Sequence, residues 1–291
     1  MSETIIGVIG GSGLYDIDGL ENTRWEKIDS PFGTVSDEIF FGELEGVKMR
    51  FLPRHGRGHR ISPSEVNYRA NIDALKRTGV TDIISVSACG SLKEELPPGH
   101  FVLADDYIDR TFAREKSFFT TGCVAHVAFG EPVSRRLVDC LEEALKEVGI
   151  DYTRGGTYLC MEGPQFSTKA ESNLYRSWGC SVIGMTNMPE AKLAREAEMG
   201  YATVAMVTDF DCWHEGHDDV TVEQIIKVLL SNADKGRALV KAAAPKIAAA
   251  PLPCPSGCHT ALEYALITAP EARDPELIKK LDAVAGRVLQ M

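Results

Sequence analysis

The strongest constraint on the fold of this chain is the alternation of short apolar segments with longer amphipathic ones. The apolar segments have the length of strands, are rich in Val and Ile, and are mostly bounded by Gly or Pro; they cover residues 4–10, 48–53, 82–87, 101–104, 157–160, 181–183 and 201–208. Apolar residues at helical spacing cover residues 62–79, 132–148, 189–199 and 222–243. The first of these helices is predicted to begin at a capping box, S-P-S-E, at residues 62–65. Because strands that alternate with helices form a largely parallel sheet with helices on both faces, we predict an α/β fold with a mixed, mostly parallel sheet.

The length and composition of the chain indicate one large domain. The 291 residues suffice for a substantial α/β core, and the composition first changes at Ala248, to a run rich in Ala, Pro and Gly. We therefore predict one domain over residues 1–247. A helical tail is expected over residues 248–291, packed on the same domain or on a neighbouring subunit.

Charge and targeting signals restrict the partners of the protein. A net charge of −11 at pH 7 argues against a nucleic-acid partner, because such binding depends on many Lys and Arg side chains. The sequence has no signal-peptide pattern and no apolar run long enough to cross a membrane, so we expect a cytoplasmic protein without a membrane partner. Cys254 and Cys258, followed by His259, could form half of a zinc site, a disulfide, or neither. Since no second pair occurs at zinc-finger spacing, we expect no metal.

A glycine-rich turn, V-I-G-G-S-G-L-Y-D at residues 8–16, follows the first predicted strand. A dinucleotide-binding turn would need a third glycine at the position of Asp16, and a nucleoside-triphosphate loop would need a lysine after Gly13. Both patterns are therefore excluded. The remaining interpretations are a turn that holds a small anion through its N–H groups and Ser12, or a turn that merely reverses the chain.

Polar side chains follow the ends of several predicted strands. Because ligands of open α/β sheets gather beyond the carboxyl ends of the strands, these side chains are expected in one region. They supply a cation, an imidazole and hydroxyl groups, which are donors suited to a tetrahedral oxyanion. The residues are Ser12, Arg54, His55, Ser87 and Thr186.

An acidic pair, Asp209 and Asp211, closes the most apolar of the predicted strands. In an extended chain the two carboxylates project to the same face. They could bind a donor-rich group, share a proton, or hold Mg²⁺ or Ca²⁺.

Six motifs together resemble one known family. They are GVIGGSGLYD, RHGRGHRISPSEVNYRANI, SACGSL, MEGPQFST, MTNMPEAKLARE and TDFDCW, and they occur in order between about residues 5 and 247. The chain resembles the S-methyl-5′-thioadenosine phosphorylases, within the purine nucleoside phosphorylase superfamily. The resemblance implies a single-domain, purine nucleoside phosphorylase-like fold and cleavage of 5′-methylthioadenosine by phosphate, giving adenine and 5-methylthioribose 1-phosphate. It also implies inorganic phosphate as co-substrate, no cofactor, and a homotrimer with sites at subunit boundaries.

The resemblance also assigns roles to residues. Ser12, Arg54, His55, Ser87 and Thr186 match the phosphate positions. Asp209 matches the residue that donates a proton to N7 of the base, and Asp211 the residue that accepts from its 6-amino group. Phe166 matches the aromatic residue that packs against the base, and Met185 matches a ribose contact. The positions that match contacts to the 5′ group are His126, supplied by a neighbouring subunit, Val220, Val222 and Ile225. Ala88, Ser167 and Ile183 match further substrate contacts. The three apolar residues at 220–225 could equally form the core face of the helix at 222–243.

Departures from the family pattern leave alternatives open. Ser12 and Ser87 stand where threonine is common, Gly184 stands where many relatives have asparagine, and the tail, with Ile267 as a candidate lid residue, matches poorly. Asp209 and Ser167 favour a 6-aminopurine over a 6-oxopurine. The alternatives are phosphorolysis of adenosine, inosine or methylthioinosine, hydrolysis by water, and a nucleoside-binding module without activity.

Overall fold

The computed structural model describes residues 3–11, 13–214, 222–250 and 252–289, except for the side chains of residues 222–227 and 229. The strands in this part of the chain are β1 (Ile6–Gly10), β2 (Leu20–Glu26), β3 (Ile39–Leu44), β4 (Val47–Pro53), β5 (Asp82–Ser91), β6 (Phe101–Ala104), β7 (Asp106–Asp109), β8 (Tyr152–Arg154), β9 (Thr157–Cys160), β10 (Val182–Gly184) and β11 (Gly200–Asp209). The α-helices are α1 (Tyr68–Arg77), α2 (Arg135–Val148), α3 (Lys169–Ser177), α4 (Asn187–Glu196), α5 (Val222–Ala249), α6 (Pro275–Lys280) and α7 (Asp282–Leu289).

One sheet joins all the strands of the described chain. Its main path runs β2-β3-β4-β1-β5-β10-β9-β7, while β11 pairs with β5 and β6, and β6 also pairs with β8. The pairs β1–β4, β1–β5, β5–β11, β9–β10, β7–β9 and β6–β8 are parallel, and the four remaining pairs of the described chain are antiparallel. The prediction of a mixed, mostly parallel α/β sheet is confirmed.

Strand β11 shows how helices cover both faces of the sheet. Tyr201 and Ala205 belong to an apolar cluster with residues of α1, α4 and α7. Ala202 and Val204 belong to a second cluster, with residues of α2 and α5. Alternate residues of a strand face opposite sides, so a strand buried on both sides must be apolar throughout. This explains why the sequence signal of β11 is a continuous apolar run.

Helix α1 begins at Tyr68 and not at the capping box predicted at residue 62. Asn67 is the N-cap, and its side chain accepts a hydrogen bond from the N–H of Ala70 at 3.0 Å. The Ser62 hydroxyl instead donates to the Glu65 carboxylate at 2.7 Å, within a turn. Ser64, in the same turn, donates to the distant Glu162 carboxylate. The prediction was wrong because this tertiary contact competes with a local helical start.

Several elements carried no clear sequence signal. Helix α3 begins with a complete capping box, in which Thr168 and Glu171 exchange hydrogen bonds, but its exposed residues obscured the pattern. Strand β2 is largely exposed and pairs only with β3 among the described strands, so it has no buried apolar face to reveal it.

The C-terminal segment packs on the sheet domain of the same chain. Leu281, Val284 and Ala285 are buried in the cluster that contains α1 and α4. Arg287 of α7 donates hydrogen bonds to both carboxylate oxygens of Glu198 at 2.8 Å. The tail therefore covers the α1 face of the sheet.

Cys254 and Cys258 lie near the start of this segment as buried free thiols. The Sγ atom of Cys254 lies 3.0 Å from the hydroxyl oxygen of Ser134, the N-cap of α2. His259 accepts a hydrogen bond from the Cys254 N–H and directs its other ring nitrogen toward the Thr81 carbonyl. Both ring nitrogens thus have protein partners.

In the described part of the chain, the helices are all too short or too polar to cross a lipid bilayer.

Candidate active site

The parallel strands β1, β4, β5 and β11 direct their carboxyl ends to one edge of the sheet. Arg54 follows β4 and donates its N–H to the Gly10 carbonyl at the end of β1, at 3.0 Å. Ser87 and Ala88 lie in β5, which runs to Ser91, beyond its predicted end at residue 87. The candidate site is built at this edge.

Strand β10 reaches the same edge in the opposite direction. It pairs antiparallel with the end of β5, with Ile183 opposite Gly90, so the sequence expectation of another parallel strand end was wrong here. The chain after β10 nevertheless runs back alongside β5. As a result, the Ser87 hydroxyl donates to the Asn187 side-chain oxygen at 3.3 Å, next to Thr186.

Arg54 is paired with a carboxylate that the sequence analysis missed. Its Nε and NH2 groups donate to Glu190 of α4 at 2.7 and 2.9 Å, and both side chains are 2 % exposed. Burial alone would lower the pKa of the guanidinium, but Glu190 raises it above its usual value. The available sequence signal was an acid near the start of the helix predicted over residues 189–199.

His55 is neutral at physiological pH in this structure. Burial, reinforced by the charge of Arg54, lowers the pKa of its imidazole to about 4. Nδ1 lies 2.8 Å from the Ile61 carbonyl, which can only accept, so Nδ1 carries the proton. The ring stacks on His59 with a centroid distance of 4.3 Å. Nε2 therefore presents a lone pair.

Thr186 is buried at the N-terminus of α4, but its side chain makes no capping hydrogen bond to the helix. Ser12 lies outside the described residues. Among the predicted phosphate residues that the structure describes, Arg54 and His55 are consecutive, and Ser87 and Thr186 are linked through Asn187.

The two acids lie side by side, although not as an extended strand would place them. Strand β11 ends at Asp209, and Asp211 has a φ of 51°, so the expectation of two side chains on one strand face was wrong. Asp209 accepts hydrogen bonds from the Asp211 N–H at 2.8 Å and from the Thr208 hydroxyl at 2.7 Å. A positive φ at a non-glycine residue costs free energy of order 1–3 kcal/mol, which the surrounding contacts must offset.

Burial dominates the titration of this pair. It raises the pKa of the Asp209 carboxyl, and the hydrogen bonds from Thr208 and Asp211 offset only part of this. Burial raises the pKa of Asp211 as well, and the negative charge of Asp209 adds to the effect. One of the two carboxyl groups is thus suited to hold a proton that it can donate.

Gly90 allows β5 to approach the acids. A Cβ atom at this position would lie 3.0 Å from Oδ1 of Asp209 and 3.2 Å from Cγ2 of Ile183. Ile183 is therefore adjacent to the acid pair. The Oδ2 atom of Asp211 is buried and makes no hydrogen bond of 3.5 Å or less to the described residues, although the hydroxyls of Ser172 and Ser167 lie close enough to lower the pKa of this carboxyl.

The acid pair does not form a metal site with other described residues. Within residues 3–11, 13–214, 222–250 and 252–289, no group of three or more His, Cys, Asp and Glu side chains is arranged to hold a metal ion.

The segment after β9 borders the acids on another side. The Ser167 carbonyl accepts a hydrogen bond from the thiol of Cys212, directly after Asp211, at 3.3 Å. Phe166 is half exposed, and Met185 lies against Gly163, where a Cβ atom would approach its Sδ atom to 2.5 Å. Of these predicted contacts, Ser167 lies next to the acid pair.

Gly184 has a steric reason to lack a side chain. A Cβ atom there would collide with the hydroxyl of Tyr158, a fully buried residue of β9. The Tyr158 side chain fills the space next to residue 184.

Of the residues predicted at the 5′ group, the structure describes the side chain of His126 only. His126 is exposed, and its N–H donates to the Ala265 carbonyl of the tail at 2.9 Å. Ile267 donates its N–H to the Val124 carbonyl in the same pairing. Val220 lies outside the described residues, as do the side chains of Val222 and Ile225.

Comparisons with known proteins agree with the resemblance that the motifs indicated. The chain is 67% identical over 287 residues to the S-methyl-5′-thioadenosine phosphorylase of Rhodospirillum rubrum, covering 99% of this chain and 98% of that protein. A crystal structure of a methylthioadenosine phosphorylase from an Antarctic soil metagenomic library superimposes with a TM-score of 0.91 at 48% identity, over 98% of this chain and 99% of the other. A variant of the adenosine/methylthioadenosine phosphorylase of Schistosoma mansoni, solved in complex with methylthioadenosine, gives a TM-score of 0.80 at 34% identity, over 86% and 93% of the two chains. Residues 5–245 match the phosphorylase superfamily, and the chain therefore belongs to that superfamily.

Proposed function

We propose that the chain catalyses the phosphorolysis of 5′-methylthioadenosine to adenine and 5-methylthioribose 1-phosphate. The observation that carries this proposal is the partly buried Asp209–Asp211 pair, set at the same sheet edge as Arg54 and Ser87. High identity to relatives named for this activity supports the choice of substrate.

In this proposal, phosphate binds between Arg54, His55, Ser87 and Thr186, together with Ser12. Glu190 occupies Nε and NH2 of Arg54, whereas NH1 makes only a long hydrogen bond of 3.4 Å, to the Val86 carbonyl, among the described residues. NH1 therefore retains an N–H for a phosphate oxygen. The lone pair on Nε2 of neutral His55 would accept the proton of hydrogen phosphate, which directs the charged oxygens toward Arg54 and the hydroxyl groups.

The acids act on the leaving base. Cleavage of the glycosidic bond leaves cationic character on the sugar and negative charge on the purine. Asp209, whose pKa is raised by burial, would donate a proton to N7 as the bond breaks. Asp211 accepts from the 6-amino group, which favours adenine over a 6-oxopurine. Phosphate bound next to the sugar then attacks the anomeric carbon at close range.

Self-association completes the proposed site. His126, with Val220, Val222 and Ile225, would contact the 5′-methylthio group, His126 coming from a neighbouring subunit of a homotrimer. An exposed apolar patch around His126, formed by Val124, Tyr264 and Ile267, supports a covered surface there. We propose a cytoplasmic homotrimer that needs inorganic phosphate but no cofactor; light scattering of the purified protein tests its mass.

Adenosine is a second candidate substrate. The relative from Schistosoma mansoni is named an adenosine/methylthioadenosine phosphorylase, and it covers 86% of this chain. The two substrates differ only at the 5′ group, where Val220 and the side chains of Val222 and Ile225 lie outside the described residues.

The decisive experiment is release of free base from 5′-methylthioadenosine, adenosine and inosine, with and without phosphate. We expect adenine from 5′-methylthioadenosine only when phosphate is present, faster than base from the other two. Release without phosphate would indicate a hydrolase, and binding of the nucleoside without release would indicate a binding module.

A further inference from the structure

We propose that Arg114 and Glu162 form a positioning pair that holds the segment carrying Met185 and Thr186 in its binding geometry. Neither side chain would touch phosphate or nucleoside; the pair would act through the backbone of that segment. The inference rests on the proposed function, because it concerns the phosphate and ribose contacts of the same site.

The Arg114 guanidinium binds the segment on both sides of Thr186. Its NH1 group donates to the carbonyls of Met185 and Met188, each at 2.6 Å, and to the Tyr68 hydroxyl at 3.0 Å. The side chain is 1 % exposed, and all three of its nitrogens already donate to protein acceptors at 3.0 Å or less, unlike NH1 of Arg54. It therefore acts as a clamp on the backbone.

This segment needs an external clamp because it is not regular helix. Met188 has φ −118° and ψ 130°, which interrupts the first turn of α4. Residues 185–188 carry the proposed ribose contact Met185 and phosphate contact Thr186. They also carry Asn187, which binds the Ser87 hydroxyl. A shift of the two carbonyls would therefore displace several ligand contacts together.

Glu162 fixes the guanidinium and joins it to other loops. Its Oε1 atom accepts from Arg114 Nε at 2.9 Å and from the Ser64 hydroxyl, while Oε2 accepts from the N–H groups of Phe112 and Ala113 at 2.6 and 3.1 Å. Burial alone would raise the pKa of this carboxyl, but these hydrogen bonds lower it to about 2. The carboxylate therefore remains charged, and able to pair with Arg114, across the neutral pH range.

The chain offers a matched control at the opposite edge of the sheet. Arg136 donates to the buried Asp82 carboxylate at 2.8 Å and to the carbonyls of Ile247 and Ala250 at 2.6 and 3.3 Å. Asp82 begins β5, whereas the candidate site lies at the end of that strand. Arg136→Lys thus disturbs an equivalent buried ion pair without contact to the site.

The test compares Arg114→Lys, Glu162→Gln and Arg136→Lys with the wild type. For each, KM for phosphate, KM for 5′-methylthioadenosine, kcat, the Kd for adenine and the thermal unfolding midpoint are measured. A lysine at 114 cannot reach both carbonyls and Glu162, so we expect KM for phosphate to rise about 10- to 100-fold. Adenine, which contacts the acid pair and not residues 185–188, should bind within about twofold of the wild type.

The outcomes separate a positioning role from a structural one. Arg136→Lys should lower the unfolding midpoint while leaving KM for phosphate unchanged. The proposal is overturned if Arg114→Lys and Glu162→Gln change KM for phosphate no more than Arg136→Lys, or if they weaken adenine binding as much as phosphate binding. If Arg114→Lys does not fold, KM for phosphate is compared between Glu162→Gln and Arg136→Lys. A wild type that releases no adenine would refute the proposed function itself, and this is established first.

Discussion

Replacing Arg54 by methionine removes the cation from the most buried ion pair of the candidate site. Glu190 accepts hydrogen bonds from Arg54 Nε and NH2 at 2.7 and 2.9 Å, from Ser85 at 2.7 Å and from Tyr201 at 2.9 Å. The substitution deletes two charge-assisted bonds, worth about 1.5–3 kcal/mol each. Breaking buried ion pairs costs about 3–5 kcal/mol. We therefore expect the free energy of unfolding to fall by about 4 kcal/mol.

A second substitution separates stability from phosphate binding. In the double variant Arg54→Met with Glu190→Gln, no uncompensated charge remains buried. The double variant should therefore be at least about 2 kcal/mol more stable than the single variant. Phosphate binding should not recover, because the guanidinium NH1 group is still missing. Loss of one charge-assisted hydrogen bond to phosphate corresponds to about a 10- to 100-fold rise in KM for phosphate.

The assay combines urea unfolding with phosphate-dependent adenine release. A double variant with the wild-type KM for phosphate would show that Arg54 has only a structural role. A single variant as stable as the wild type would refute the account of Glu190 as a buried charge. The variant Glu190→Gln alone is the control for changes at α4 that leave Arg54 in place.

Three further predictions concern the acid pair, the imidazole and the segment after β10. Asp209→Asn should lower kcat/KM for 5′-methylthioadenosine by about 10²- to 10⁴-fold. Because the protonated carboxyl is the active form, the wild-type rate should fall as the pH rises through the raised pKa of Asp209, and the variant should lack that fall. His55, with a pKa of about 4 instead of about 6.5, should show no imidazole titration by NMR between about pH 5 and 8. Between pH 6.5 and pH 4 the imidazole is protonated in the unfolded chain but not in the folded one, so folding stability should fall as the pH decreases through this interval. His55→Gln should remove this contribution. Gly184→Ala should destabilise the protein by about 1–3 kcal/mol through collision with the Tyr158 hydroxyl; in a denaturation double-mutant cycle, Tyr158→Leu should relieve at least part of that loss, and additive effects would contradict the steric explanation.

The sequence predicted the elements whose signal is local. Continuous apolar runs identified β1 and β11, because strands buried on both faces cannot alternate with polar residues. The mixed, mostly parallel sheet and the family followed from such runs and from the motifs, and both are confirmed. Strand β2 had no such signal because only a few of its side chains are partly buried.

Two predictions that depended on contacts absent from the local sequence were wrong. The capping box at residues 62–65 looked like a helix start, yet Ser64 binds Glu162, 98 residues away in sequence. Asp211 was expected on the face of an extended strand, but the chain turns into positive φ directly after β11. The roles of the site residues remain predictions that the variants above test.

By itself, the sequence determined which segments form strands and helices, which family the motifs resemble, and which chemical groups lie near strand ends. The tertiary structure decided the state of those groups. It placed Glu190 against Arg54 across 136 residues of sequence, kept His55 neutral, raised the pKa of both acids, and closed Arg114 on the backbone around Thr186. Periodicity is a property of neighbours along the chain, whereas burial, ion pairing and proton affinity depend on groups that only folding brings together.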